Sequence, residues 1–380
     1  MTKDVRSPAG LPNQNFSLYL DVVRLLAALL VLLYHSNWRT LITENVPMGG
    51  YGHSAVIVFF VLSGFVIAYV TDQKEKTPNQ YAVNRLARIY SVAIPVLLLT
   101  PLLDLAGEAM NPDFYVDKTT HDLWYVRIIS SALFLNEVWF VSIMSFSNVP
   151  YWSLCYEVWY YVLFAAFVFL KGKTRVAVIA LLCLFLGPKI LLLMPLWLAG
   201  VWLYHAKAAV ISRVWVAVAL WSASITAFVL FHHFDVQYQI ANWLREVGGE
   251  WLYKQLTFSK YFLSDYLLAP IIVINFMAFR RISSDLPELS KGWVNAIRYA
   301  SSFTFILYLS HQPLMQFFGA LVSGDPDDMS TYFLVIGLVF VSVFFLGFIT
   351  EHRKRDWKAL FVALFNKVAR LRLRKAEASA

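Results

Sequence analysis

The side chains with the greatest chemical potential sit where the surrounding sequence is most apolar. The stretch LDVVRLLAALLVLLYHSNW holds Arg24 and His35. Eleven residues of helix bring these two within about 20° of one face and roughly 16 Å apart along the axis. That face carries a fixed cation towards one end and an imidazole, able to act as base or nucleophile, towards the other. Asp21 lies one turn before Arg24 and is placed to pair with it. A plainer reading stays open, in which Asp21 and Arg24 neutralise each other near an interface and His35 reaches the outer headgroups.

Four further patterns follow. FFVLSGFVIAYV carries Ser63 and Gly64, a small pair that suits close helix approach and equally a narrow passage. NRLARIY places Arg85 and Arg88 three apart on one helix face, a fork for phosphate oxygens or ordinary basic anchoring at a membrane edge. PYWSLCYEVWYY puts Ser153 and Glu157 four apart, either as helix-start chemistry after Pro150 or as a carboxyl desolvated among aromatic rings and suited to proton transfer. FTFILYLSHQPLM sets His311 before Gln312 and Pro313, where the proline frees a backbone carbonyl. His311 reads either as a structural histidine bonded to a neighbouring helix or as part of a cavity.

The elements that must position these groups are membrane helices. Of the 380 residues, 59% are hydrophobic and 15% charged, and the mean hydropathy is +0.59. One soluble core cannot hide that much apolar surface, so the fold class is an all-α polytopic membrane bundle. Apolar runs predict about ten transmembrane helices, at 18–38, 53–70, 89–106, 152–170, 176–186, 190–204, 214–231, 261–279, 302–322 and 331–349. The short pair around Gly187 and Pro188 reads as a kinked hairpin or a broken helix. Residues 126–144 are apolar enough to span but contain Asn136 and Glu137; counting them as a span puts Lys171, Lys173 and Arg175 outside, and leaving them as a re-entrant or interfacial segment puts that run inside. Cys155 and Cys183 both fall in apolar runs, giving neither a disulfide framework nor a metal cluster.

With an inside N-terminus, 24 of the 32 Lys and Arg fall on the cytoplasmic side, among them Lys3, Arg6, Lys207, Arg298 and Lys354, and seven, including Lys118 and Lys189, fall outside, which makes the net charge of +8 a topology signal rather than a nucleic-acid footprint. Both termini are then cytoplasmic. The expected division is a tail at 1–17, a membrane domain at 18–350 and a basic amphipathic tail at 351–380. In that last segment Trp357, Leu360, Phe361, Leu364, Val368 and Leu371 recur at helical spacing among basic residues, as in a helix lying on an anionic leaflet.

Taken together, the Arg24-to-His35 spacing, FFVLSGF, the R-x-x-R of Arg85 and Arg88, and W-S-L-x-x-E resemble the acyltransferase-3 family of membrane glycan O-acyltransferases, from about Ser17 to Ile349. The departures are Cys155-Tyr156 inside the last motif and His53 opening the second span. The resemblance implies a bacterial inner-membrane enzyme of about ten spans. It would move an acyl group, usually acetyl from acetyl-CoA, to a hydroxyl of a glycan or related acceptor, with no permanently bound cofactor and no metal. It further implies that His35 is catalytic and Glu157 assists, that Arg85, Arg88 and Arg24 hold the donor, and that Ser153 belongs to the site. Ser63 and His311 are the supporting candidates read from the sequence itself. A glycan or lipid transporter, or a non-catalytic scaffold, is the alternative class, since intramembrane charges also line substrate pathways.

Overall fold

The computed structural model describes residues 13–116, 122–206 and 211–377. Lys3, Arg6, Lys118 and Lys207 of the charge reading lie outside these residues, as do the side chains of Val368, Arg372, Arg374 and Lys375. The regular structure is helical. In chain order the helices are α1 (Gln14–Ser36), α2 (Gly52–Gln73), α3 (Pro78–Met110), α4 (Trp124–Ala132), α5 (Tyr151–Phe169), α6 (Gly172–Leu186) and α7 (Pro188–His205). Then follow α8 (Val214–His233), α9 (Val236–Gln255), α10 (Phe262–Ile282), α11 (Lys291–Ser301), α12 (Thr304–Val322), α13 (Met329–Ile349) and α14 (Lys354–Glu377). Their starts follow local chemistry. The Asn13 side chain accepts the Phe16 N–H at the head of α1, and Thr77 accepts the Gln80 N–H at the head of α3, where Pro78 occupies the first turn.

Among the described residues, eight helices are long and apolar enough to cross a membrane: α1, α2, α3, α5, α8, α10, α12 and α13. The chain is a multi-pass membrane protein. The other two of the ten expected spans are the pair α6 and α7, which meet at Gly187, whose φ of 76° suits glycine. A Cβ at this position would lie 2.7 Å from the backbone of Trp139. Residues 126–144 hold only the end of the nine-residue α4 followed by turns, and all of α4 is about 14 Å of helix, too short to span. Glu137 explains why this segment stays packed on the bundle. Its carboxylate accepts from the Lys189 ammonium at 2.6 Å, both side chains are almost wholly buried, and Lys189 also donates to the Val141 carbonyl. The charge count above treats Lys189 as an outer-loop cation; it is a buried tie instead.

The most buried spanning helix is α12, with 72% of its apolar window inside, against 17% for α8. It packs on α1, α3 and α13. Helices α2 and α7 run side by side and in the same direction, with Ser63 level with Trp197 and Asp72 level with Tyr204. Small residues allow the crossing: a Cβ on Gly64 would stand 1.9 Å from the Trp197 carbonyl oxygen, and one on Gly200 would stand 1.9 Å from that of Val61. The amphipathic segment forms α14, which folds back onto α3 and brings Phe361 against Tyr90.

Gly64→Ala is expected to force the two backbones apart and to cost about 1–3 kcal/mol, the usual range for overpacking. Gly337→Ala, where a Cβ meets nothing within 4 Å, is the control. Thermal unfolding in detergent should show a lowered midpoint for the first variant and none for the second.

Candidate active site

A cavity of about 420 Å³ opens among α1, α2, α3, α5, α12 and the link between α13 and α14. Its wall is apolar where Val56, Phe59, Phe60 and Val66 of α2 face it, and charged where Arg24, Arg88, Arg298 and Lys354 do. Of the residues singled out from the sequence, Asp21, Arg24, Ser63, Arg88, Ser153 and Glu157 line this one space.

Arg24 donates to Asp21 at 2.9 Å, the pairing that the i, i+3 spacing predicts. Arg88 has no ion-pair partner within 4 Å among the described residues. It and Arg24 share the field of one carboxylate, Glu351, at the start of the α13–α14 link. The cations of α1 and α3 are joined by Arg298 of α11 and Lys354 of α14, which read from the sequence only as topology charges. The spacing of Arg298 and Lys354 carries no signal that would connect them; only packing of α14 on α3 brings the second one in.

Arg85 has a different environment from Arg88, although one helix carries both. Its guanidinium donates to Glu75 at 2.6 Å, is 10% exposed, and faces the rings of Tyr81 and Tyr161. It does not line the cavity. The physical reason is that Glu75, in the turn between α2 and α3, is itself buried and needs a cation. The fork expected of the R-x-x-R pair is therefore divided, with Arg88 facing the cavity and Arg85 supporting its wall.

Towards the upper part of the cavity, hydrogen bonds run in one direction. Trp197 N–H donates to Ser63 Oγ at 3.1 Å, Ser63 and Tyr161 hydroxyls are 3.2 Å apart, and Tyr161 O–H donates to Glu157 Oε1 at 2.5 Å. With the indole able only to donate and the chain ending on the carboxyl, Ser63 O–H points to Tyr161. Ser153 Oγ, which donates to the Pro150 carbonyl at 3.1 Å, lies 2.6 Å from the Tyr308 hydroxyl. Tyr161 belongs to the aromatic nest that the sequence places around Glu157, whereas Tyr308 was not singled out from the sequence. Tyr161 is four residues from Glu157 on the same helix, so its partnership was legible there; that of Tyr308 was not.

Two histidines lie beyond the cavity. The Tyr308 ring meets that of Phe59 edge to face at 5.3 Å, both lining the cavity, and the next turn of α12 carries His311. His311 Nε2 is 3.2 Å from His35 Nδ1. Neither imidazole lines the cavity, and the ring of Tyr308 is 6.3 Å from that of His311. The carbonyl freed by Pro313 is that of Leu309, and it accepts from Asn148 Nδ2 at 2.7 Å, which ties the turn before α5 to α12. One end of the space thus presents unmatched positive charge, its middle presents hydroxyls and a carboxyl, and its far end stands one helical turn below a pair of imidazoles. Such a set can hold an anion at one end and shield a narrow neutral chain along its middle.

Comparison with known proteins adds three findings. A family model described as an acyltransferase domain, that of acyltransferase 3, matches residues 17–352. A stretch of 132 residues, 34% of this chain, is 28% identical to the exopolysaccharide production protein ExoZ of Rhizobium meliloti (strain 1021) and covers 38% of that protein's length. No solved structure matches.

The division between the two arginines is testable. Arg85→Ala strands a buried Glu75 and should cost about 3–5 kcal/mol, whereas Arg88→Ala removes no ion pair. Unfolding midpoints in detergent should fall for the first and hold for the second; equal losses would contradict the assignment.

Proposed function

We propose that this chain, which belongs to the acyltransferase-3 family and is a multi-pass membrane acyltransferase, moves acetyl from cytosolic acetyl-CoA to a hydroxyl of an exopolysaccharide or its lipid-linked precursor. The cavity's charged end then faces the cytoplasm of a bacterial inner membrane, with both termini on that side and the segment after residue 350 lying on the leaflet. The similarity to an exopolysaccharide production protein directs the acceptor class.

The observation that carries the reading is Arg88, a guanidinium without an ion-pair partner among the described residues, beside Arg24 at one end of a cavity that climbs to within a turn of His311 and His35. The donor is strongly anionic at its nucleotide end and narrow and neutral along its arm. Arg88, Arg24, Arg298 and Lys354 supply cations for the phosphates. Ser63, Ser153 and the apolar face of α2 supply a lipid-shielded channel for the arm. The carboxyl of Glu157, ordered by Tyr161, is placed to orient the thioester end or exchange a proton with it. His35 is the general base for the acceptor hydroxyl or the nucleophile that carries the acyl group. For the thioester to reach His35, the Phe59–Tyr308 contact must part and Tyr308 must release Ser153.

The test is transfer of label from [14C]acetyl-CoA to lipid-linked exopolysaccharide oligosaccharide by the purified protein in bilayers. His35→Ala should lower kcat by at least about 100-fold, the low end for general-base removal. Arg88→Ala should raise the donor KM about 10-fold or more, as expected for one charge-assisted hydrogen bond. Full transfer by His35→Ala removes that histidine from the mechanism. An unchanged donor KM in Arg88→Ala contradicts the phosphate-binding role. Movement of the oligosaccharide across the bilayer without labelling would instead identify a transporter.

A further inference from the structure

The two imidazoles carry more information than their proximity. His35 Nδ1 is 2.9 Å from the Val31 carbonyl, and His311 Nδ1 is 2.9 Å from the Leu307 carbonyl. A carbonyl oxygen only accepts, so in each neutral ring the proton sits on Nδ1 and Nε2 is a lone pair. The contact between the rings joins His311 Nε2 to His35 Nδ1 at 3.2 Å. The lone pair is then on His311 and the proton on His35. The opposite assignment would turn an unprotonated Nδ1 of His35 towards the Val31 oxygen and would require His311 to carry two protons. The His35 Nδ1–H is therefore shared between the Val31 carbonyl and His311 Nε2. Its own Nε2 makes no hydrogen bond among the described residues.

We propose that His311 is the positioning residue of the acyl-transfer centre: it accepts the His35 Nδ1–H, fixes the ring so that Nε2 is the reactive atom, and stabilises the imidazolium. This rests on the reading of His35 given above. In the step concerned, the acceptor O–H gives its proton to His35 Nε2 as the oxygen bonds to the thioester carbon. The C–S bond breaks, and the departing thiolate takes the proton back from Nε2. His35 is a cation between those two events. The Nδ1–H then strengthens its bond to a neutral acceptor on each side, and the one that is not main chain is His311. His311 is fully buried on α12, the most enclosed spanning helix, so its ring is held by packing. The Asn148 bond to Leu309, two residues earlier, fixes the same turn.

The test combines a spectroscopic and a kinetic reading on the full chain in bilayers. Nitrogen-15 NMR of histidine-labelled protein near neutral pH should find His35 and His311 both protonated on Nδ1 and bare on Nε2. In His311→Leu the His35 Nδ1–H proton should move upfield; in His311→Gln, whose amide oxygen can accept at similar reach, it should stay. With [14C]acetyl-CoA and lipid-linked exopolysaccharide oligosaccharide, His311→Leu should lose about 10–100-fold in kcat at unchanged donor KM, and His311→Gln should recover part of it. A His35 protonated on Nε2 in the unmodified protein overturns the proposal without any variant. So does equal kcat in the Leu and Gln variants, because that marks a packing role. The NMR reading is independent of turnover. Full activity of His35→Ala would therefore sink the functional reading and leave the hydrogen-bond assignment to be judged separately.

Discussion

A charge removed from water into a bundle of apolar helices needs an opposite charge or several hydrogen bonds, and this chain meets that requirement at nearly every buried position. Glu137 has Lys189, Glu75 has Arg85, and Asp265 holds His53 through both carboxylate oxygens at 3.0 Å. Arg280 donates to the Leu203 and Ala206 carbonyls that α7 leaves open at its end. The cavity departs from this pattern. There the cations of α1, α3, α11 and α14 gather around fewer carboxylates, and Arg88 stands without an ion-pair partner among the described residues. Under the proposed function, that excess is what holds the phosphates of the donor.

The same accounting of polar groups explains how the far end is held. Pro313 removes one amide donor from α12, and Asn148 replaces it on the Leu309 carbonyl. Asp104 of α3 accepts from both the backbone and the hydroxyl of Ser147, one residue before Asn148. Three helices are thus tied at the level of the first turn of α5, which carries Ser153, and where α12 turns His311 towards α1. These are packing devices in an apolar medium, and they hold the α12 backbone at Leu309 against the turn before α5.

Much of this was legible in the sequence. Length and apolarity located the spanning helices. The i, i+3 and i, i+4 rules placed Asp21 on Arg24 and Ser153 beside Glu157, because those relations are local to one helix. Contacts between helices were not legible. Arg85 and Arg88 share a face by spacing, yet the fate of Arg85 depends on Glu75, which is brought back by a turn. Lys189 looked like a loop cation because nothing in its own neighbourhood announces Glu137. His35 and His311 were each noticed, but 276 residues separate them, and their shared proton follows only from the way α1 crosses α12.

The central claim is that a donor held by cations at one end of the cavity presents its acyl carbon to His35 at the other. A cryo-EM structure with a non-hydrolysable acetyl-CoA analogue tests this most directly. The account predicts phosphate density against Arg88 and Arg24, Tyr308 swung off Ser153, and the acyl carbonyl carbon about 3–4 Å from His35 Nε2. An analogue bound elsewhere, or one whose acyl end stops below an unmoved Tyr308 and Phe59, would contradict it.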